Sequence, residues 1–121
     1  MTTFKQFEDL EVWQKSRILT THIYRVTNNG QYSCDCGLRD QTSSCSVSIM
    51  ANIAEGFGRE SSKEFANFLI YSHGSASELQ SHLYIALDLD YIDNKIFNKL
   101  YDQIERISKM TLKLQNYSRR S

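Results

Sequence analysis

Residues 61–89 read SSKEFANFLIYSHGSASELQSHLYIALDL and carry the longest helical period in the chain. Ser61 and Glu64 have the spacing of a capping box, so we expect a helix to begin there. Apolar residues then recur three and four positions apart, which places them on one helix face. They are Phe65, Phe68, Leu69, Ala76, Leu79, Leu83, Ala86 and Leu87. The stretch therefore predicts a long amphipathic helix ending near Leu89.

A second face of the same helix flanks the first. It carries Tyr71, Ser75, Glu78, His82, Ile85 and Leu89. A helix in a single four-helix bundle needs one apolar stripe, so the additional Tyr71, Ile85 and Leu89 predict contact with another subunit. We expect the monomer not to be the working unit.

Three further segments have helical periodicity. Breaks at Asn28-Asn29-Gly30, at Gly56-Phe57-Gly58 and from Asp90 to Asn94 separate them. The segments run from about Leu10 to Thr27, from about Leu38 to Ala54, and onward from Asp93, a good N-cap. Their apolar stripes include Val12, Leu19, Ile23 and Val26, then Leu38, Cys45, Ile49 and Ile53, then Ile96, Leu100, Ile104, Ile107 and Leu114.

Glycine and proline usage supports this division into a few long elements. The 121 residues include no proline and five glycines, too few turn residues for many short strands. We expect Gly56 or Gly58 to end the second helix in a left-handed cap, and the segment from Asn29 to Gly37 to be the least regular. The prediction is an all-α, antiparallel up-down four-helix bundle, with residues 1–121 as one domain.

Composition excludes several classes of protein. The 14 Lys plus Arg and 14 Asp plus Glu give zero formal charge, which argues against a uniformly basic nucleic-acid coat protein. No apolar run is long enough for a membrane span, and Met1 to Leu10 lack the features of a signal peptide. The three cysteines form no CxxC pair, which favours a reducing, cytoplasmic setting with free thiols.

Catalytic and metal sites have little support in the sequence. The helical serines and histidines have no recognisable base and orienting partner, so we predict no catalytic residue. Glu78 and His82, spaced i and i+4, favour a hydrogen-bonded or ion-paired couple. Cys34, Cys36 and Cys45 match no standard zinc spacing. We predict no metal or cofactor, and a metal or redox site on these cysteines remains the alternative that metal analysis would test.

A polar cluster is predicted at the end of the second helix. Asn52 and Glu55 share a helix face, and Arg59 follows the glycine break. These three side chains can satisfy one another and hold the connection to the third helix. We group Glu78 with them as a structural polar residue. Glu55→Ala should leave a buried Asn or Arg unpaired and cost about 1–3 kcal/mol.

A charged stripe runs along the fourth helix. Lys95, Lys99, Asp102, Arg106, Lys109 and Lys113 follow spacings of four and three, and five of the six are basic. Arg119 and Arg120 extend the basic character beyond Lys113. The stripe fits a solvated helix face, and it is also the candidate surface for weak, non-specific contact with RNA or DNA.

Several motifs together resemble a known family. The resemblance covers about residues 4 to 115 and centres on the block Asn52-Ile53-Ala54-Glu55-Gly56. The other matching motifs are Leu10 to Arg17, Gly37-Leu38 with Gln41, Ser48-Ile49, Phe57-Gly58-Arg59, Glu64-Phe65, Phe68-Leu69, Gly74-Ser75, Glu78-Leu79, and Leu89 to Ile92. The chain resembles the bacterial four-helix-bundle proteins encoded in intervening sequences of 23S ribosomal RNA genes.

This resemblance implies an all-helical bundle that commonly assembles as a homopentameric ring. The related accessory proteins of diversity-generating retroelements, also pentameric, bind a reverse transcriptase and nucleic acid. The chain departs from the family pattern at Gly30 to Cys34, where Phe-Pro and a Glu are usual, and at Thr42 to Ser44, where arginines are usual. The missing arginines weaken the case for nucleic-acid binding. We therefore expect a non-enzymatic, self-associating scaffold, with nucleic acid or a nucleic-acid-handling protein as the alternative partner.

Overall fold

A computed structural model describes residues 4–120, which form α-helices and a short 3-10 turn, with no strand among them. The 3-10 turn spans Phe7–Asp9. The helices are α1 (Glu11–Thr27), α2 (Gly30–Cys34), α3 (Cys36–Gly58), α4 (Ser62–Asp88) and α5 (Asn94–Arg119). The predicted all-α class is confirmed. Residues 1–3 of the stretch Met1 to Leu10, and residue 121, lie outside the described part.

The four long helices form a bundle in which each contacts two neighbours. α3 packs against α4, α4 against α5, and α1 against both α3 and α5. Residues 59–61 connect α3 to α4, and residues 89–93 connect α4 to α5. Such short connections make neighbouring helices antiparallel. None of the described helices has both the length and the apolar character that a bilayer span requires.

The core lies along the bundle axis and is mostly aliphatic. Each long helix contributes most of its predicted stripe, although Leu38, Phe65, Phe68, Leu87 and Leu114 are only half-buried, and at two places an adjacent residue is more buried than the stripe residue. Thr27 is buried while Val26 is half-buried, and Phe97 is buried while Ile96 is exposed. The apolar core side chains with 0% exposure are Leu19, Ile23, Tyr32, Ile49, Ile53, Leu69, Ala76, Leu79, Leu83, Ala86 and Ile104.

Helix ends follow local side-chain chemistry at two predicted caps. The Ser61 hydroxyl accepts a hydrogen bond from the Glu64 N–H, and an Asp93 carboxylate oxygen accepts one from the Ile96 N–H. The predicted left-handed glycine cap is wrong. Gly56 and Gly58 both lie inside α3, and the left-handed residue after the helix is Glu60, at φ 57°.

The segment from Asn29 to Gly37 is more regular than expected, because it contains α2. Tyr32 of α2 is fully buried, and its hydroxyl lies 2.8 Å from the Thr42 hydroxyl on α3. The Tyr91 hydroxyl donates to Asp35 at 3.0 Å, and Asp35 also caps α3 by accepting from the Leu38 N–H. The Tyr32 ring also packs against the Tyr91 ring, with 5.4 Å between their centres. This packing and these hydrogen bonds hold the short helix α2 in place.

Candidate functional site

The basic stripe of α5 faces outward along its whole length. Lys95, Lys99, Arg106, Lys109 and Lys113 are all exposed, on the side of the helix opposite its buried residues. Among residues 4–120, none of these five cations forms an ion pair. Arg119 and Arg120, also exposed, lie at the end of α5, where positive charge interacts favourably with the helix dipole. Because they are exposed and unpaired, the five cations of the stripe are available to an external anion.

The predicted polar cluster divides into separate contacts. Glu55 and Arg59 do form an ion pair at 2.9 Å, with Glu64 3.9 Å from the same guanidinium. The Arg59 guanidinium also lies 5.0 Å from the centre of the Phe68 ring. Both partners of the Glu55–Arg59 pair are about half exposed. The Glu55–Arg59 pair therefore lies at the end of α3, and it is the contacts of Arg59 with Glu64 and Phe68 that link this end to α4, at the surface and not in a buried cluster.

Asn52 does not join that pair. Its amide donates to the backbone oxygen of Ser48 at 2.8 Å and to the Ser48 hydroxyl at 3.1 Å. The Ser48 hydroxyl in turn lies 2.8 Å from the Ser75 hydroxyl on α4. One turn away, the buried Ser72 hydroxyl donates to the Ile49 carbonyl at 2.8 Å. These hydroxyl contacts hold α3 and α4 close together.

Glu78 lies in a different cluster, with His82 and Cys45. The predicted i, i+4 couple is present, with 3.7 Å between His82 Nε2 and a Glu78 carboxylate oxygen. The other ring nitrogen, His82 Nδ1, lies 3.7 Å from the Cys45 sulfur. One ligand-type atom from each of the three residues lies within 4.8 Å of the others. Cys45 of α3 and His82 of α4 are 7% and 8% exposed, whereas Glu78 is exposed.

The Cys45 thiol holds its proton strongly in this setting. Burial, together with the Glu78 carboxylate beside it, raises the pKa of Cys45 from 9.0 to about 12. A thiol with that pKa is protonated at neutral pH and is a poor nucleophile. The Cys–His–carboxylate arrangement is therefore unsuited to thiolate catalysis of the cysteine-protease kind.

A shallow groove between α3 and α4 opens onto this cluster. Its volume is about 390 Å³, and polar or small side chains form its walls. They are Asp40, Gln41, Ser44, Cys45, Ser48, Ser75 and Glu78. The groove gives solvent and small solutes access to Cys45 and Glu78.

Cys34 and Cys36 lie away from the cluster. Both are exposed free thiols at the junction of α2 and α3. Cys36 and Cys45 are nine residues apart in the same helix, which separates them by about 13 Å along its axis. The three cysteines therefore cannot share one metal ion, and the metal site built on all three is wrong.

Sequence reasoning did not predict that Cys45 and His82 would meet. The sequence indicates only that Cys45 belongs to the apolar stripe of α3 and His82 to the second face of α4. Because they are 37 residues apart, only the rotation and register of the two packed helices bring them together. No local spacing rule includes such a pair.

The exposed apolar face of α4 is present as predicted. Tyr71, Ile85 and Leu89 are 61%, 45% and 49% exposed. On α1, Ile18 and Tyr24 are exposed, whereas the Trp13 ring packs edge-on against Phe7 at 5.0 Å and is half-buried. The Trp13 ring is therefore partly used within the subunit, and Ile18 and Tyr24 are the exposed large apolar residues of α1.

Comparison with known proteins agrees with this architecture. A protein of unknown function from the S23 ribosomal protein family of Bacteroides thetaiotaomicron has a similar crystal structure, with a TM-score of 0.79 and 23% sequence identity. The match covers 86% of this chain and 97% of that protein. No curated protein matches the sequence significantly. Residues 8–113 match the family model of the 23S rRNA-intervening sequence protein, and the chain belongs to that family.

Proposed function

We propose that this chain is a non-enzymatic scaffolding module that works as a homo-oligomer, with the exposed apolar face of α4 as its subunit contact. The observation that carries the proposal is the exposure of Tyr71, Ile85 and Leu89 at helical spacing on one face. Leaving such surface in water costs roughly 25 cal/mol for each Å² of apolar area. A second subunit would remove it from solvent.

The neighbouring surface of α3 suits close approach by another helix. Ser44 and Ser48 line the groove, and Ala51 is exposed on the same helix. All three side chains are small. Ile18 and Tyr24, on α1, supply a second apolar patch. A contact between two different patches closes into a ring when its rotation divides a full turn. A ring of five is the form that the family resemblance favours.

Light scattering after gel filtration tests this proposal directly. At micromolar concentration we expect the wild-type mass to be a multiple of 14.1 kDa, and five-fold for the pentamer. The double variant Tyr71→Glu/Ile85→Glu should shift towards the monomer, because it introduces charge into the contact. Leu112→Glu changes an equally exposed residue on α5 and should keep the wild-type mass. A wild-type monomer would refute the proposal, and a dimer would reject only the pentamer.

A second candidate function, weak nucleic-acid binding, is supported by the α5 stripe. Its five cations are exposed and unpaired with any described carboxylate, although the chain is neutral overall. In a ring, several copies of the stripe would add their contacts to one polyanion, which strengthens binding without any new contact. RNA, DNA or a protein that handles them is the corresponding partner, and the three free thiols support the cytoplasmic setting expected for it.

A further inference from the structure

We propose that Cys45, Glu78 and His82 bind one Zn²⁺ ion, with a fourth coordination position open to the groove between α3 and α4. This proposal does not rest on the scaffold function or on the basic stripe, although Ser44 and Ser48 of the proposed subunit contact also line the groove. It concerns a site to which the family assignment gives no role.

The distances between the three side chains suit a shared ion. Zinc lies about 2.3 Å from a thiolate and about 2.0–2.1 Å from an imidazole nitrogen, so tetrahedral ligands of these types are about 3.5 Å apart. The Cys45 sulfur and His82 Nδ1 are 3.7 Å apart, close to that separation without an ion. Glu78, whose side chain is 59% exposed, can turn its carboxylate towards the same point.

The ligand chemistry favours zinc over harder cations. Sulfur, imidazole nitrogen and carboxylate oxygen together form a borderline-soft set, whereas Mg²⁺ and Ca²⁺ prefer oxygen ligands alone. Three protein ligands with an accessible fourth position are typical of an open zinc site. Here the groove walls include Ser48 and Ser75, so water can occupy that position.

Two ligands are held by rigid parts of the fold. Cys45 and His82 are buried on different helices, and the Ser72–Ile49 and Ser48–Ser75 hydrogen bonds fix α3 against α4 nearby. Binding requires the thiolate, so the Cys45 proton is released to solvent when the Zn–S bond forms. The two positive charges of the ion then balance the Cys45 thiolate and the Glu78 carboxylate.

Metal titration of the full chain, stripped with a chelator, tests the site. Calorimetry should show one Zn²⁺ bound per chain, and Co²⁺ should give a thiolate-to-cobalt charge-transfer band. Cys45→Ser should abolish that band, and His82→Gln should weaken binding at least tenfold. Glu78→Gln, which changes an exposed side chain, should weaken binding about tenfold and keep the fold. Circular dichroism of each variant checks folding.

The exposed cysteines provide a matched control. The double variant Cys34→Ser/Cys36→Ser removes two thiols that lie far from the cluster and should bind Zn²⁺ with wild-type stoichiometry and affinity. The proposal is overturned if the wild-type chain takes up no zinc at micromolar concentration. It is equally overturned if Glu78→Gln and Cys45→Ser bind as the wild type does, or if the control variant loses the ion.

Discussion

Gly56 of α3 lies so close to Phe68 of α4 that a Cβ atom at position 56 would be 2.5 Å from the Phe68 Cβ. The same atom would be 3.1 Å from the Phe65 ring. The backbone of α3 at Gly56 therefore lies directly against the Phe68 side chain of α4, just before the short link at residues 59–61. Within the block Asn52 to Gly56, the glycine is needed for packing and not for a turn.

Gly56→Ala should destabilise the protein by about 1–3 kcal/mol, because the added methyl group overpacks a close helix contact. Thermal or urea unfolding measures this. Gly74→Ala is the matched control: an added Cβ there meets no atom within 4 Å, so helix propensity should stabilise the protein by about 0.5–1 kcal/mol. Equal effects from the two substitutions would contradict the close contact.

Glu60→Gly should raise the free energy of unfolding by about 0.5–1 kcal/mol. Glu60 has φ 57°, a left-handed conformation that costs a residue with a Cβ atom roughly 1 kcal/mol or more. Glycine relieves this strain, but its greater conformational freedom in the unfolded chain offsets part of the stabilisation. Glu60→Ala keeps the Cβ and should change stability little. If alanine stabilises as much as glycine, side-chain charge and not backbone strain is responsible.

Glu55→Ala should cost less than about 0.5 kcal/mol, because its ion pair with Arg59 is exposed and screened. The loss of about 1–3 kcal/mol in unfolding free energy, expected for a buried cluster, no longer applies to this exposed pair. Ser72→Ala removes a fully buried hydroxyl that donates to Ile49 and should cost about 1 kcal/mol. Chemical denaturation of both variants gives the order, and a larger loss for Glu55→Ala would restore the buried-cluster interpretation.

Stability should decrease as pH rises above 9. The folded state holds the Cys45 proton more tightly than the unfolded chain, since its pKa rises from 9.0 to about 12. The stability that this contributes is fully present below pH 9 and is lost as pH approaches 12. Burial also raises the pKa of Tyr32, which adds to the loss above pH 10.

Unfolding measured between pH 8 and pH 11 should show this decrease, and Cys45→Ala should make it less steep because that group no longer titrates. A thiol reagent gives a second readout at neutral pH. Cys34 and Cys36 are exposed and should react quickly, whereas Cys45, which is 7% exposed and holds its proton strongly, should react much more slowly. Three equally fast thiols in the native protein would contradict both expectations.

RNA binding through the stripe should depend steeply on salt. Changing Lys99, Arg106, Lys109 and Lys113 to Gln should reduce the slope of log affinity against log salt by about one unit for each lost phosphate contact. Changing Lys5, Arg17, Arg25 and Lys63, which are exposed outside the stripe, should leave the slope unchanged. The absence of wild-type binding at ~50 mM salt would rule out this function.

Much of the fold follows from local chemistry. The apolar period predicts each long helix, because the side chains that must leave water have to lie on one face. The caps at Ser61 and Asp93 were predictable for a similar reason: a side-chain oxygen reaches a backbone N–H three residues on, whatever the rest of the chain does. These features involve contacts within a few residues, which sequence spacing describes completely.

Packing between helices decided the rest. Phe97 rather than Ile96 enters the core because the bundle sets the rotation of α5, and Tyr84, 4.8 Å from the Phe97 ring centre, packs beside it. Likewise, the Cys45–His82 contact, the separation of Asn52 from Glu55, and the left-handed Glu60 depend on how α3 meets α4. Sequence periodicity determined which helices form and which faces they bury. Only the tertiary structure determined which polar side chains meet between helices, because these contacts join residues that are distant in the chain and depend on the register of two packed helices.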